Sequence, residues 1–420
     1  MPWHNSHLYW DGSYGACCFE TIPPAGQRLT LSNSSLEDWH NSEAMQNFRQ
    51  RMLGNEPLPE CAWCYYEEKH GHESKRIKEN FKVAIFTKEA FQKSFLQSPW
   101  YSTFQLATKN HKVKLPIDLH LNFGNECNLA CKMCNSQASS KFASHMQRWQ
   151  IPVKAINNWT NDNNQYQQLL KNIQSIPTIN RIHIMGGEPL INKRFREFLA
   201  WLIDNNYSNL SFSFVSNGTI LNEKLIEDLK FFRSVDIEIS IESIEDNNHY
   251  IRQGTDTRQV LSNILTLKNH VSDSFNVILR TAPQLFSINN YHKLILFAYE
   301  NRLSVQSVPV QSPNYLSIDV LPMNIKEKFI SNYENLKLSL EKNVPNIKEL
   351  STGRNVARLE QQLIHECDSM INLLKKPSPD IITNLQAELI YWIKKWDMAY
   401  SLDAKEYFPE YKLFLETCGY

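Results

Sequence analysis

The stretch that decides the fold reads Cys127-Asn128-Leu129-Ala130-Cys131-Lys132-Met133-Cys134, and it directly follows a strand-like run at Ile117–Phe123. Its three cysteines stand at positions i, i+4 and i+7. Thiolate is the soft ligand that iron–sulfur clusters take. A four-iron cluster held by three sulfurs keeps one iron without a protein ligand, and that iron can bind another molecule. A zinc knuckle or three buried thiols are the alternatives, but zinc usually takes four ligands in paired spacing.

A second motif, Met185-Gly186-Gly187-Glu188-Pro189, lies about fifty residues downstream at the end of a strand-like run. Two glycines let a backbone approach a ligand closely. Glu188 can accept hydrogen bonds from an ammonium group. Alone, this motif would also suit a plain turn. Its place after the cysteine loop and behind a strand favours a binding role.

Strand-like and helix-like runs alternate between residues 113 and 312, which predicts an α/β fold with a parallel sheet and helices outside it. Six such units would form an open barrel, whose sites collect at the carboxyl ends of the strands. The predicted strands are Ile117–Phe123, Arg181–Met185, Leu210–Ser216, Val235–Ile241, Asn276–Ala282 and Ser304–Val310. The predicted helices are Ser136–Trp149, Gln165–Ile176, Lys193–Asp204, Asn222–Phe232, Thr257–His270 and Asn289–Asn301.

Polar residues follow the later strands. Asn217 lies in Ser216-Asn217-Gly218-Thr219, which also suits a turn into the next helix. Ser240 and Glu242 are two residues apart on one strand and share a face. A hydroxyl beside a carboxylate suits a ribose diol. Arg252 follows them, and a surface ion pair is its alternative role.

The cysteine loop and the Gly-Gly-Glu-Pro motif, in this order, resemble the radical S-adenosylmethionine (radical SAM) superfamily. The resemblance implies a partial (β/α)6 barrel at residues 113–312 and a [4Fe-4S] cluster on Cys127, Cys131 and Cys134. The open iron would chelate the amino and carboxylate groups of S-adenosylmethionine. The implied contacts to this cofactor are Gly186, Gly187 and Glu188 at its amino group, Asn217 facing cofactor or substrate, Ser240 and Glu242 at the ribose, and Arg252 at the carboxylate. The family often has Ser-x-Asp where this chain has Ser240-Ile241-Glu242.

The N-terminal segment, residues 1–82, is rich in cysteine and opens with a predicted hairpin, His7–Tyr9 and Ser13–Ala16, around an Asp11-Gly12 turn. A CxxC pair lets two thiolates reach one metal. The segment resembles the SPASM and twitch modules that hold auxiliary iron–sulfur clusters, although here it precedes the barrel. The pieces that carry the resemblance are Pro2-Trp3, Asp11-Gly12, Cys17-Cys18, Cys61, Cys64, Glu68, Gly71, Ser74 and Arg76.

The ligand set of this second site stays open. The family pattern commonly has another cysteine just before the Pro-Trp pair, and this sequence starts at Met1. The resemblance therefore implies a cluster on Cys17, Cys18, Cys61 and Cys64, a cluster with an open iron, or a truncated start. Structural zinc and no metal are the alternatives.

The remaining parts of the chain carry less chemistry. Residues 83–112 are a connector, and residues 313–420 are a helical region with predicted helices at Ile325–Glu341, Val356–Leu374 and Asp380–Ser401. Aromatic residues recur at helical spacing in the last of these, which is typical of a core face. The stretch Tyr407–Tyr411 suggests a docking tail.

Composition limits the partners. The 420 residues carry 44 Lys plus Arg and 44 Asp plus Glu, so the net charge gives no reason to expect nucleic acid or an anionic membrane. No run is long and apolar enough to span a bilayer, and no signal peptide is visible. Nine cysteines, several at metal spacing, indicate reduced ligands in the cytoplasm rather than disulfides.

Taken together, the resemblance implies an enzyme that reductively cleaves S-adenosylmethionine to a 5′-deoxyadenosyl radical and abstracts hydrogen from a substrate. A flavodoxin- or ferredoxin-type donor would supply the electron. The auxiliary module favours a peptide or protein substrate undergoing maturation. The alternatives are a small metabolite, such as a sugar, nucleotide or alcohol, and a zinc-binding scaffold without radical chemistry.

Overall fold

The computed structural model of the protein describes residues 3–17, 29–54, 56–69, 74, 76–77, 116–153, 157–176, 179–343 and 354–420, with only the backbone described at 354–358. Pro2, Cys18, Gly71 and the predicted connector 83–112 lie outside these residues. No helix in the described ranges is long and apolar enough to cross a membrane.

The described elements confirm the α/β fold class. The strands are β1 (Asn5–Leu8), β2 (Tyr14–Gly15), β3 (Asp118–Asn122), β4 (Ala130–Cys131), β5 (Arg181–Met185), β6 (Ser211–Ser216), β7 (Ser234–Ser240), β8 (Arg252–Gln253), β9 (Phe275–Thr281) and β10 (Ser304–Ser307). Five of the six strands predicted for the barrel are confirmed to within one residue at each end, and the sixth ends at Ser307 rather than Val310.

The described helices up to residue 251 are α1 (Leu36–His40), α2 (Glu43–Leu53), α3 (Ala62–Lys69), α4 (Ser140–Arg148), α5 (Asn163–Gln174), α6 (Lys193–Asp204), α7 (Glu223–Leu229) and α8 (Asn247–Ile251). Those that follow are α9 (Thr257–Lys268), α10 (Tyr291–Asn301), α11 (Met323–Asn343), α12 (Arg354–Leu374), α13 (Ile382–Tyr400), α14 (Ala404–Tyr407) and α15 (Lys412–Thr417). The helices predicted for the barrel and for the C-terminal region are thereby confirmed, with small differences at their ends.

The chain divides into two compact units. The first contains residues 1–127, 152–215 and 227–235, and the second contains residues 128–151, 216–226 and 236–420. In the first unit the strand order is β2-β1-β3-β5-β6. β1, β3, β5 and β6 are parallel, and β2 is antiparallel to β1. The N-terminal segment therefore contributes a strand that pairs directly with β3. Gly12, at φ 79°, makes the predicted turn between β1 and β2.

The apolar core of the first unit forms where α6 covers the sheet. Asn192 caps this helix by accepting hydrogen bonds from the backbone N–H groups of residues 194 and 195. Its apolar residues recur with the helical period and are buried: Phe195, Phe198, Leu199 and Leu202. The ring of Phe195 contacts Phe212 and Phe214 of β6, with centroids 6.4 and 5.7 Å apart. Each such side chain stabilises the fold by about 1.5–3 kcal/mol.

The opposite face of the same strands carries a row of buried histidines. Sheet register places His7 beside His120, His120 beside His183, and His183 beside Ser213. The ring centroids of His7 and His120 are 6.4 Å apart, and those of His120 and His183 are 5.0 Å apart. Ser213 Oγ lies 2.9 Å from His183 Nδ1. Burial first, and His120 second, lower the pKa of His7 to about 3.

The second unit contains the strand order β7-β9-β10 and a short antiparallel pair, β4 with β8. Of the C-terminal helices, α12 packs on β10, and α11 packs on α12. The expectation of a docking tail at Tyr407–Tyr411 is wrong, because Phe408 and Tyr411 are fully buried. The Tyr411 hydroxyl donates to the Leu285 carbonyl at 2.6 Å. Apolar burial thus makes this stretch part of the core.

Replacing His7 with Phe is expected to reduce the acid sensitivity of the fold. The folded-state pKa of about 3 is below the unfolded value of 6.5, so the unfolded chain takes up this proton first. The stability is complete above pH 6.5 and falls as the pH drops towards 3. At pH 5 the histidine costs about 2 kcal/mol relative to pH 7.

Urea unfolding of wild type and His7→Phe at pH 7 and pH 5 measures this difference. The exposed His365 of α12 is the matched control, since His365→Phe should leave the pH dependence as in wild type. Equal losses of unfolding free energy in wild type and His7→Phe would contradict the expectation.

Candidate active site

The cysteine loop of the second unit is fixed by backbone pairing. β4 ends at Cys131, which is paired with Arg252 of β8 in antiparallel register. The N–H of Lys132 donates to the Ile251 carbonyl at 2.9 Å, and the N–H of Cys134 donates to the Cys131 carbonyl at 3.0 Å. Cys131 is buried, whereas Cys127, the last residue before this unit, and Cys134 are half-buried. The loop therefore holds its second thiol rigidly beside β8.

The donor set of the loop fits an iron–sulfur cluster. Its three sulfurs lie within eight residues, and none of the described cysteines forms a disulfide. In the described part of the chain, no three His, Cys, Asp or Glu side chains are grouped closely enough to enclose a metal ion. The assignment of these three cysteines as cluster ligands therefore stays a prediction from their spacing and ligand chemistry.

The Gly-Gly-Glu-Pro motif lies at the end of β5 in the first unit and packs on the chain just before Cys127. Gly187 N–H donates to the Gly124 carbonyl at 3.0 Å, and Glu188 N–H donates to the Glu126 carbonyl at 2.6 Å. A Cβ on Gly187 would lie 2.1 Å from the Glu126 oxygen. Gly186 has φ 148°, a conformation that favours glycine. Both glycines are therefore required by the chain's own backbone, which the sequence did not reveal.

Glu188 is buried at the start of a short helical turn. It is 1% exposed, and its carboxylate accepts a hydrogen bond from the Leu190 N–H at 3.1 Å. This contact orients the carboxylate at the carboxyl end of β5, where the sequence predicted it.

Asn217 belongs to a small amide network in the second unit. Its Nδ2 donates to Asn128 Oδ1 at 2.8 Å, and Asn128 Nδ2 donates to the Thr219 hydroxyl at 2.9 Å. The Thr219 hydroxyl in turn donates to Asn217 Oδ1 at 2.6 Å. Asn217 thus holds the residue next to Cys127. Sequence reasoning missed Asn128 and Thr219, although both stand inside motifs that it quoted.

Glu242 and Arg252 are brought together. The Arg252 guanidinium donates to Glu242 Oε1 at 3.0 Å. Glu242 Oε2 accepts from the Thr281 hydroxyl at 2.9 Å and from the Ala282 N–H at 2.8 Å. Glu242 is 1% exposed, whereas Ser240 is only half-buried. Both carboxylate oxygens of Glu242 are therefore engaged with the protein.

Lys132 is a further buried charge that sequence reasoning missed. Burial lowers its pKa to about 7, and the charges of Asp397 and Cys131 act in the opposite direction. The signal available in the sequence was a lysine between two cysteines of a metal-type loop.

The N-terminal cysteines form a separate group in the first unit. Burial raises the pKa of Cys61 to about 11, and the charges of Cys64 and Cys17 raise it further. Burial also raises the pKa of Cys64, while a hydrogen bond from the backbone of Arg76 lowers it. The thiols of Cys17, Cys61 and Cys64 therefore affect one another electrostatically, but within the described residues they are not grouped closely enough to enclose a metal ion. Cys18 lies outside the described residues.

Three other residues of the N-terminal pattern form one network. The Arg76 guanidinium donates to the Glu68 carboxylate, with Nε 3.1 Å from Oε1, and the Ser74 hydroxyl donates to the same oxygen. The guanidinium also lies over the Tyr65 ring, 5.2 Å from its centroid. These contacts tie the segment after α3 to the helix that carries Cys64.

Residues 121–281 match the model of the radical SAM superfamily. The matched region begins in β3, ends in β9 and contains the cysteine loop, the glycine motif and the Glu242–Arg252 pair. This part of the chain is therefore similar to the radical SAM domain.

Comparison with individual proteins adds partial matches. A stretch of 132 residues is 30% identical to an uncharacterised protein of Methanocaldococcus jannaschii, covering 31% of this chain and 40% of that relative. The match thus spans less than half of the relative's length. Streptococcus suis SuiB bound to its precursor peptide SuiA is 11% identical over 80% of this chain and 69% of its own, with a TM-score of 0.40. The structure of anSMEcpe with bound AdoMet is 19% identical over 54% of this chain and 62% of its own, with a TM-score of 0.41.

Gly187→Ala is expected to lower both thermal stability and affinity for S-adenosylmethionine. Its Cβ would overlap the Glu126 carbonyl, so the segment before Cys127 must move. Overpacking of this kind costs about 1–3 kcal/mol. Thermal unfolding and isothermal titration with the cofactor measure the two effects. Gly54→Ala is the control, because its nearest backbone neighbour is the Arg51 oxygen at 3.4 Å. A wild-type melting temperature for Gly187→Ala would show that this contact does not constrain the loop.

Proposed function

We propose that the protein is a radical SAM enzyme whose [4Fe-4S] cluster is held by Cys127, Cys131 and Cys134. The observation that carries the proposal is the radical SAM match at residues 121–281, which includes the whole cysteine loop. Three cysteines leave one iron of a four-iron cluster for S-adenosylmethionine. When bound, the reduced cluster and the cofactor supply a 5′-deoxyadenosyl radical that abstracts hydrogen from a substrate.

The residues of the first unit are proposed to receive the amino end of the cofactor. Glu188 is a buried carboxylate that can accept hydrogen bonds from an ammonium group. Gly186 and Gly187 keep the backbone at this point close to the segment that leads into Cys127. Their function is then to fix Glu188 relative to the start of the cysteine loop.

Arg252, Ser240 and Asn217 are proposed to orient other parts of the cofactor. Arg252 would pair with its carboxylate. Glu242 supports that role because it holds the guanidinium at 3.0 Å. Ser240, half-buried at the end of β7, is left as the hydroxyl available to the ribose. Asn217 would act through Asn128, which it holds at 2.8 Å.

An auxiliary iron–sulfur cluster on the N-terminal cysteines is the second part of the proposal. The CxxC spacing of Cys61 and Cys64 supports it, with Cys17 and Cys18 as further candidate ligands. A flavodoxin- or ferredoxin-type protein would supply the electron. The thiol ligands suit a reducing compartment such as the cytoplasm.

We further propose that the substrate is a peptide or protein. The support is the resemblance of the N-terminal segment to SPASM and twitch modules, including the contact of Glu68 with Ser74 and Arg76. A small metabolite is the competing class. A deuterated candidate peptide distinguishes them, because a true substrate transfers deuterium to 5′-deoxyadenosine.

Replacing Cys127, Cys131 and Cys134 with Ala is expected to abolish cleavage of S-adenosylmethionine, since the cluster then has no ligands in the loop. The assay is 5′-deoxyadenosine formation with dithionite after anaerobic reconstitution. Cys418→Ala, a half-buried thiol of the C-terminal region, is the control and should retain activity. Continued 5′-deoxyadenosine formation by the triple variant would refute the assignment.

Replacing Cys61 and Cys64 with Ala is expected to lower the iron content from about eight to about four per chain while one cluster remains. Iron and acid-labile sulfide, measured together with zinc, give the result. An unchanged iron content would remove the auxiliary cluster. If the wild-type chain contains zinc in place of this iron, the N-terminal cysteines form a structural zinc site instead.

A further inference from the structure

Lys132 is buried beside a proposed cluster ligand. It follows Cys131 directly and is 1% exposed. Removing an ammonium group from water costs several kcal/mol unless other groups compensate. Apolar side chains would be cheaper at such a position, so the contacts of this lysine call for an explanation.

The ammonium is enclosed by aromatic rings. It donates a hydrogen bond to the Tyr250 carbonyl and lies 3.7 Å from the centroid of the Tyr250 ring. The rings of Trp396 and Tyr400 lie 5.0 and 5.8 Å from it. Cation–π contacts are stronger with desolvated rings than at exposed sites, and Trp is the best partner. These three rings and the lysine form an aromatic box around the charge.

Two walls of the aromatic box come from one C-terminal helix. Trp396 and Tyr400 stand four residues apart on α13 and therefore on one face. Between them is Asp397, a buried carboxylate that accepts hydrogen bonds from the Ala404 N–H at 2.7 Å and the Tyr420 hydroxyl at 2.6 Å. Its negative charge favours the charged form of Lys132. The three rings and the nearby carboxylate thus form an internal binding site for the Lys132 ammonium.

The same helix also contacts the element after the cysteine loop. The Tyr400 hydroxyl is hydrogen-bonded to His145 of α4. The Ser139 hydroxyl, which caps α4, donates to the Leu129 carbonyl at 2.7 Å. α13 therefore reaches the loop by two routes, through Lys132 and through α4.

We propose that Lys132 is a positioning residue: the aromatic box holds its amino group so that Cys131 stays in place and the protonated form of the lysine lies beside the cluster. This inference rests on the proposed function of the cysteine loop. Partners of this kind behind a metal ligand are worth about 10- to 100-fold in metal affinity. A nearby positive charge also favours the reduced cluster, which carries one more electron, so it raises the reduction potential.

The test compares Lys132→Met with Lys132→Arg in the full chain after anaerobic reconstitution. Both are also made in the Cys61→Ala, Cys64→Ala chain, so that a second cluster does not contribute. The rate of iron transfer to a chelator and the midpoint potential from a spectroscopically monitored titration with a low-potential reductant are measured. Lys141→Met, at an exposed lysine of α4, is the matched control.

We expect Lys132→Met to release iron about 10- to 100-fold faster and to have a more negative midpoint potential. Lys132→Arg should keep a potential near that of wild type, and Lys141→Met should match wild type in both measurements. A purely structural role would change iron release in both lysine variants without separating their potentials.

The outcomes separate this inference from the proposed function. A wild-type chain that takes up no iron overturns both. Wild-type iron with unchanged release and potential in Lys132→Met overturns this inference alone. If Lys132→Met fails to fold, Trp396→Phe is the variant that tests the inference. It weakens one cation–π contact of the aromatic box and leaves the sequence of the cysteine loop unchanged. Faster iron release from a folded Trp396→Phe chain supports the inference, and wild-type release overturns it.

Discussion

The buried carboxylate of Glu242 is the contact on which the order of the second unit's site depends. It lies two residues after the end of β7, accepts hydrogen bonds from Thr281 and Ala282 at the end of β9, and binds Arg252 of β8. β8 is in turn the strand that pairs with Cys131. One carboxylate thereby connects two sheet strands to the cysteine loop. Removing one partner of a buried pair leaves an uncompensated charge, which costs about 3–5 kcal/mol.

The same contact changes the role that Glu242 was expected to have. Strand alternation correctly places Ser240 and Glu242 two residues apart at the end of β7, but it cannot tell which neighbours each will meet. A carboxylate has about four acceptor positions, and here the protein supplies three donors. Glu242 is accordingly best explained as the support of Arg252. A charged residue that the sequence suggests as a ligand contact can instead support the residue that contacts the ligand.

The strands were predictable because each buries apolar residues on a sheet face and ends at a turn. β5 and α6 were predicted to the residue, since Arg181–Met185 and Lys193–Asp204 have clear periods and caps. Pairing between distant segments was not predictable. Nothing local to Asn5–Leu8 indicates that it pairs in parallel with β3, more than a hundred residues away. The amide network of Asn128, Asn217 and Thr219 was not predicted either, because it also joins segments that are distant in the sequence.

The glycine motif shows that the physical reason given for two glycines in the sequence can be incomplete. Close approach of backbone explained the need for glycine at 186 and 187, and the approaching partner was taken to be a ligand. The structure shows that the partner is the segment Gly124–Glu126, which leads into the first cysteine. Packing against this segment and binding of a ligand both require glycine here, because a backbone fixed in this way also keeps Glu188 at the end of β5.

The lysine of the cysteine loop, Lys132, is likewise explained by its surroundings within the protein. Its charge is costly to bury, and the chain surrounds it with three rings and a nearby carboxylate rather than replacing it with an apolar residue. The position next to Cys131 therefore holds a basic side chain at a cost in desolvation that an apolar residue would not have.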